Sequence, residues 1–364
     1  MDNDIHDEDG AHGVALLTVG QESDSESLAG VGLEDKLDDS EAEKNVDGVE
    51  GGCEPALHPD STSPTPKVGA GPPLFGKGPT ECALGNGVCV RSDPKAVKLL
   101  SEFIKQTDPE AISKTNRENT QKIVDTLKTM LGVKNESDIW RHPDFVSFVG
   151  EKQAQHYLDN YYAPAGPANN TNLISSININ ALMAQWNKLS KQKFNKKFYG
   201  LPYHMADFAT RGTQLSRIDI PDLMKQGYDA FGVVMNTDNS SGEGEHWYCL
   251  YGDLQHKGTQ ADPIVIEYFN SSGNRLSGGK SGKYERMGIW LEELKHKLLR
   301  DHNIHARIHT SAARQLQYSN TECGVWSLCY IHARLSGHPP DYFDRKGVTD
   351  DDMYEYRKSL FRPE

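Results

Sequence analysis

No stretch of this sequence approaches the roughly 18 consecutive apolar residues that a bilayer-spanning helix needs, so no membrane span is expected. A positively charged leader is also missing. The chain starts Met1-Asp2-Asn3-Asp4, which does not read as a secretory signal. Cysteine is scarce: six in 364 residues, at positions 53, 82, 89, 249, 323 and 329, with no staple-like spacing. Free thiols in a reducing compartment are the expectation, and a soluble intracellular protein is the default. An excess of basic charge is lacking as well, with 52 acidic residues against 39 Lys and Arg and a formal net charge of -13. That imbalance is local. Residues 1–50 hold 16 Asp or Glu and 2 Lys, leaving 36 acidic against 37 basic residues in the rest. A nearly neutral body argues against a strongly basic nucleic-acid-binding protein, although a local patch remains compatible with it.

What is present divides the chain into three. Residues 1–50 are acidic with Ser and Gly interspersed, and Val14–Val19 is their only apolar run. Residues 58–80 are rich in Pro, Ser and Gly. Neither stretch buries enough apolar surface to offset the entropy of ordering, so 1–81 is expected to be a disordered extension. Order is expected from near Cys82. Ala96, Val97, Leu99, Leu100, Phe103 and Ile104 recur at helical spacing, as do Ile123, Val124, Leu127 and Met130 in a helix over about 117–131. Asp144–Asp159 reads as a third helix, with Gly150 a weak point inside it. Together they predict a helical arm domain over 82–160.

The Pro/Gly/Asn-rich segment 163–171 is a punctuation point. Beyond it, a helix is predicted over Ile177–Trp186, then strands over Ala230–Met235, Trp247–Leu250 and Ile264–Phe269, with a polar turn at 236–244. A helix over Ile289–Leu299, a strand over Ile304–His309 and a helix over Cys323–Leu335 follow. This order gives an α+β domain over 161–364, with a mixed central β-sheet and flanking helices.

Cys323 begins its own helix, where unpaired N–H groups and the positive end of the dipole are expected to lower its pKa and to receive an oxyanion. Cys329, inside the same helix, reads as core. His246 stands between the Ser/Gly-rich turn and an apolar strand, suited to acid–base work with Trp247 shielding it. Asn270 closes the strand Ile264–Phe269. Its amide oxygen is placed to accept the His246 ring N–H and leave the other nitrogen for Cys323, although Asn270 alone would read as a turn cap. Gln317, six residues before Cys323, is a candidate oxyanion donor, with Asn320 a competitor. His296, His302, His305 and His309 show no consistent ligand spacing, so no metal or cofactor is expected.

The ordered set His246-Trp247, Asn270, Gln317 and Cys323-Gly324 resembles the clan of ubiquitin-like-protein processing proteases and adenoviral proteinases. Their pattern is His-Trp on a strand, Asp or Asn ending the next strand, and Gln-x5-Cys-Gly before a helix. Within that clan the chain is similar to the polyprotein-processing proteases of African swine fever virus and other large DNA viruses. The shared blocks are 163–171, Ile179-Asn180 through Gln185-Trp186, Phe231-Gly232 through Asn236-Thr237-Asp238, Ile266–Ser271, Thr321–Gly324, Thr349-Asp350 through Met353-Tyr354, and Leu360-Phe361-Arg362. The resemblance spans roughly 82–364, and the extension has no counterpart in it. Asn172-Leu173-Ile174 stands where relatives acting on ubiquitin-like proteins often have a Trp-Leu pair.

The resemblance implies a cysteine endopeptidase that cleaves after Gly-Gly in viral structural polyproteins during virion maturation, in the virion and the host cytoplasm. A Cys323 thiolate paired with a His246 imidazolium would attack the scissile carbonyl, with Asn270 orienting the ring and Gln317 and the Cys323 N–H holding the oxyanion. Trp247 would roof a cleft that admits only bare backbone. Gly51-Gly52 is then a candidate self-cleavage site, and Gly278-Gly279 a weaker one. The alternatives are a deconjugating or processing protease for ubiquitin-like modifiers and a non-enzymatic assembly scaffold. A nucleic-acid or peptide activator and the oligomeric state are left open by the residues.

Overall fold

In the computed structural model of the chain, the described residues are 82–83, 89–90, 93–113, 120–276, 284–311 and 314–363. The extension over 1–81, with Gly51-Gly52, and the Gly278-Gly279 pair lie outside them.

Six helices come first: α1 (Pro94–Thr107), α2 (Pro109–Ser113), α3 (Thr120–Leu131), α4 (Glu136–Ile139), α5 (Pro143–Val149) and α6 (Glu151–Tyr161). Asp93 caps α1 by accepting from the Lys95 and Ala96 amides, and Pro94 takes the first position, where a missing N–H costs nothing. The helix expected over 144–159 is two helices. Gly150 has φ +87° and ψ 142°, a conformation open to glycine, and it ends α5 and starts α6. The stripes of these helices meet in one apolar cluster, where Phe103 and Trp140 both stand edge-on to Phe145. Its buried carboxylate, Glu136, accepts from the Tyr162 hydroxyl, which in turn accepts from the Trp140 indole. Cys82 and Cys89 are joined in a disulfide. This corrects the expectation of free thiols, because a seven-residue separation brings the two Cα atoms to 4.9 Å, within bridging range. Cys249, Cys323 and Cys329 are free and buried.

The remaining elements are α7 (Ser176–Phe194), β1 (Phe198–Gly200), α8 (Ile220–Lys225), β2 (Ala230–Asn236), β3 (Trp247–Asp253), β4 (Ile264–Phe269), α9 (Glu285–His302), β5 (Ala306–Ser311), α10 (Cys323–Leu335), α11 (Tyr342–Lys346) and α12 (Asp350–Leu360). The strands lie in sequence order in one sheet, parallel at the two outer pairs and antiparallel at β2/β3 and β3/β4. It is the mixed sheet with flanking helices that the pattern of elements predicts.

Period-two alternation sends β2 residues to opposite faces. Ala230 and Val234, with Cys249, Tyr251 and Phe269, pack against α7, α10 and α12. Phe231, Val233 and Met235, with Tyr248, Leu250 and Ile266, pack against α8 and α9. Both faces being covered explains why the central strands are largely apolar. All thirteen residues of α10 are buried, so the helix that starts at Cys323 lies in the core along its whole length. No described helix is long and apolar enough to cross a membrane.

Candidate active site

The antiparallel register sets the first distance of the site. β3 and β4 pair Cys249 with Phe269, which brings the start of β3 beside the end of β4 and makes the residues flanking those ends diagonal neighbours on one face. These are His246 and Asn270, and their side chains meet with His246 Nε2 2.9 Å from Asn270 Oδ1.

The orientation of that amide is fixed from the other side. Asn270 is fully buried, its Nδ2 donates to the Tyr268 hydroxyl at 2.9 Å, and its Oδ1 accepts from the Ser272 N–H and hydroxyl at 3.0 and 2.7 Å. An oxygen that already receives a backbone N–H is an acceptor, so His246 carries its proton on Nε2. The neutral imidazole therefore has Nδ1 unprotonated, as a general base requires.

Cys323 enters from the opposite layer at the first position of α10 and is 3% exposed. The backbone N–H groups of Trp247, Gly324 and Cys323 itself lie close enough to the sulfur to favour its charged form. The Trp247 amide belongs to the residue beside His246, so α10 meets the start of β3 at the thiol. Glycine at 324 makes this meeting a close one. A Cβ there would lie 3.2 Å from the Ile174 Cβ and 3.3 Å from the Trp247 ring. The Trp247 indole is half-buried and stands edge-on to Tyr203, at 5.8 Å and 87°.

The electrostatics correct one expectation. Burial pushes the Cys323 thiol up, and the three N–H donors only partly oppose it; the Glu322 carboxylate adds to the rise. Burial also lowers His246, against the raising effect of its bond to Asn270. Both shifts run toward the uncharged forms, against the lowering of the thiol that the helix terminus alone would give. Desolvation outweighs the helix terminus here because each charge would be almost cut off from water.

Gln317 is 7% exposed, whereas Asn320 is exposed. The Gln317 Oε1 accepts from the Ser271 hydroxyl at 2.7 Å, and one Nε2 hydrogen goes to the Ser319 carbonyl at 2.7 Å, which leaves the second for a ligand. The Ser271 carbonyl also accepts the Leu316 and Gln317 amides. Segment 270–273 thus connects His246 to Gln317. Gly273, at φ +75°, lets the strands of chain close: a Cβ there would sit 2.6 Å from the Arg314 backbone.

Residue-by-residue reading of the sequence misses Arg357 of α12. It is fully buried, and its guanidinium bonds both Glu322 oxygens, at 2.7 and 3.2 Å. It also donates to the carbonyls of Pro167, Asn172 and Thr321. The turn leading into Cys323 is thereby tied to the 163–171 block. Glu322 is the only signal in sequence, an acid next to the nucleophile that needs a counter-charge. Among the described residues no three His, Cys, Asp or Glu side chains converge as metal ligands would. His296 and His302 lie on α9, His305 precedes β5 and His309 lies on it.

No protein-family model matches the chain. Over 252 residues it is 32% identical to the cysteine protease of African swine fever virus, called a SUMO-1 cysteine protease in some isolates, covering 65% of this chain and 85% of the viral protein. A protein of Acanthamoeba polyphaga mimivirus named as a thiol protease is 24% identical over 219 residues, covering 59% of this chain and 66% of that protein. The crystal structure of the African swine fever virus protease matches with a TM-score of 0.58 and 26% identity, over 80% of this chain and 98% of that one. The chain is a cysteine protease. More particularly, it belongs to the family of the African swine fever virus cysteine protease.

Proposed function

We propose that the enzyme is an endopeptidase that cleaves after Gly-Gly in viral structural polyproteins during virion maturation, in virions and at assembly sites in the host cytoplasm. One observation carries the catalytic part of this reading: His246 is bonded to Asn270, and the amide of its neighbour Trp247 lies close to the Cys323 thiol. In this mechanism His246 Nδ1 removes the Cys323 proton as the sulfur attacks the scissile carbonyl. The oxyanion takes the free Gln317 N–H and the Cys323 N–H. The imidazolium then protonates the departing amine, and His246 activates a water that hydrolyses the thioester. The half-buried Trp247, packed close to Gly324, is the aromatic that this reading places over the cleft. The 161–364 region performs this chemistry, with 82–160 as an arm beside it.

The test is cleavage of a Gly-Gly-Xaa peptide set by wild type and Cys323→Ala, read by mass spectrometry. Cysteine-dependent products are expected, and intact peptides with both proteins would remove this substrate class. The name of the African swine fever virus relative favours a second reading, a protease for ubiquitin-like modifiers. A panel of SUMO and ubiquitin conjugates separates the two. Self-cleavage after Gly52 belongs to the first reading. The purified active enzyme should then start at Cys53, and an N-terminus shared with Cys323→Ala refutes it.

A further inference from the structure

An oxyanion donor is useful only if it is held still before charge develops on the substrate. Gln317 has two holding contacts, from Ser271 to its oxygen and from its nitrogen to the Ser319 carbonyl. The second is only as fixed as the Ser319 peptide. That peptide lies in a turn whose neighbouring side chain, Tyr318, is 77% exposed and gives it no anchor in the core.

The anchor comes from α12. Asp350 Oδ2 accepts the N–H groups of Tyr318 and Ser319 at 2.7 and 2.8 Å, and Oδ1 accepts the indole N–H of Trp326 at 2.9 Å. Trp326 is fully buried on the first turn of α10, three residues beyond Cys323. One carboxylate therefore joins the turn that fixes Gln317 to the helix that carries the nucleophile. Three donors meet two oxygens, so the group must accept on both sides. A carboxamide would turn an NH2 toward one set of donors.

We propose that Asp350 is a positioning residue for the oxyanion site, setting the placement of the Gln317 amide relative to the Cys323 N–H. The proposal rests on the reading of Gln317 as an oxyanion donor. Its action is indirect: Asp350 touches neither substrate nor the reacting atoms.

The test compares Asp350→Asn, with Asp350→Ser alongside so that one folded variant suffices, in wild-type and Gln317→Ala backgrounds. Three rates are read on a peptide that the wild type cleaves. They are hydrolysis, inhibition by the matching peptide aldehyde, whose hemithioacetal oxygen occupies the oxyanion site, and alkylation of Cys323 by iodoacetamide, which forms no oxyanion. The kcat should fall about 10- to 100-fold with KM within threefold, somewhat less than removal of a donor outright. Aldehyde affinity should fall in parallel, and alkylation should stay within about twofold. On Gln317→Ala, the same change should cost less than about threefold more. An equal loss in alkylation, or a loss undiminished in the Gln317→Ala background, overturns the proposal by showing a general structural role. An impaired Gln317→Ala with normal Asp350 variants also overturns it and spares the Gln317 reading. An unimpaired Gln317→Ala overturns both.

Discussion

The helical region before residue 163 and the sheet region after it bury different things. The first packs Phe103, Trp140, Phe145 and Tyr157 against one another and, among the described residues, buries only Glu136 and Ser137 of polar type. The second buries Asn270, Ser271, Gln317, Glu322 and Arg357 around the nucleophile, and elsewhere the pair Glu267–Arg334, whose bidentate contacts are 2.7 and 2.8 Å. An apolar side chain needs only enough neighbours of the right volume, whereas a buried polar group needs a particular partner at a particular distance. Tolerance should therefore differ between the regions. Substitutions in the first should change stability and leave chemistry alone, while substitutions in the second should change both or chemistry alone.

The largest effect expected is at the thiol. Cys323→Ala should lower peptide hydrolysis by about 10⁴-fold or more with little change in melting temperature, since it removes the attacking atom and a small volume. Retained cleavage would break the contrast outright. Arg357→Met comes next. It strands the Glu322 carboxylate, and urea unfolding should show a loss of about 3–5 kcal/mol, with activity lost even in the folded fraction. In the helical region, Phe145→Ala should cost about 3–5 kcal/mol in the same assay through the cavity it leaves, with kcat of the folded enzyme unchanged. A change in that kcat would show that the two regions are coupled.

Asn270→Ala should lower kcat/KM about 100-fold and also shift its pH profile. Activity needs His246 neutral, so the acid limb follows its pKa, which burial already holds below the ordinary histidine value. The bond to Asn270 favours the protonated ring, so its removal should move the acid limb to lower pH. A move to higher pH would contradict a bond to Asn270 that favours the protonated ring. The smallest effect is expected for Cys82→Ser, which opens a short loop at a cost of about 2 kcal/mol and leaves kcat unaltered.

Strong apolar patterns were legible in the sequence wherever they coincide with one element. Ile264–Phe269 and Cys323–Leu335 have the expected bounds. Asp144–Asp159 did not stay whole, because the backbone at Gly150 outweighs a continuous stripe. The strand expected over 304–309 runs over 306–311, since Asn303 ends α9 in the left-handed conformation and the next two residues complete the crossover. β1 was missed. It is three residues long, and only its parallel partner β2 makes it a strand. In the site, His246, Asn270, Gln317 and Cys323 were legible as an ordered set of residue types. Asp350 and Arg357 were visible only within or beside a shared block, without a role. An acid opening a helix reads as a cap, and an arginine in an otherwise polar helix reads as solvated until Glu322 takes it into the core.

The burial of α10 has a consequence for solvent exchange. A helix with every residue buried should be among the slowest elements of the protein to trade its amide protons for deuterium. Its first turn is the exception. The earliest backbone bond along it is from Trp326 N–H to the Glu322 carbonyl, so the amides of Cys323, Gly324 and Val325 have no helical acceptor. Two of those three, from Cys323 and Gly324, lie close to the nucleophilic sulfur. Any molecule that places an oxygen at the site should slow their exchange against an unchanging background, and the helix thereby carries its own label for occupancy.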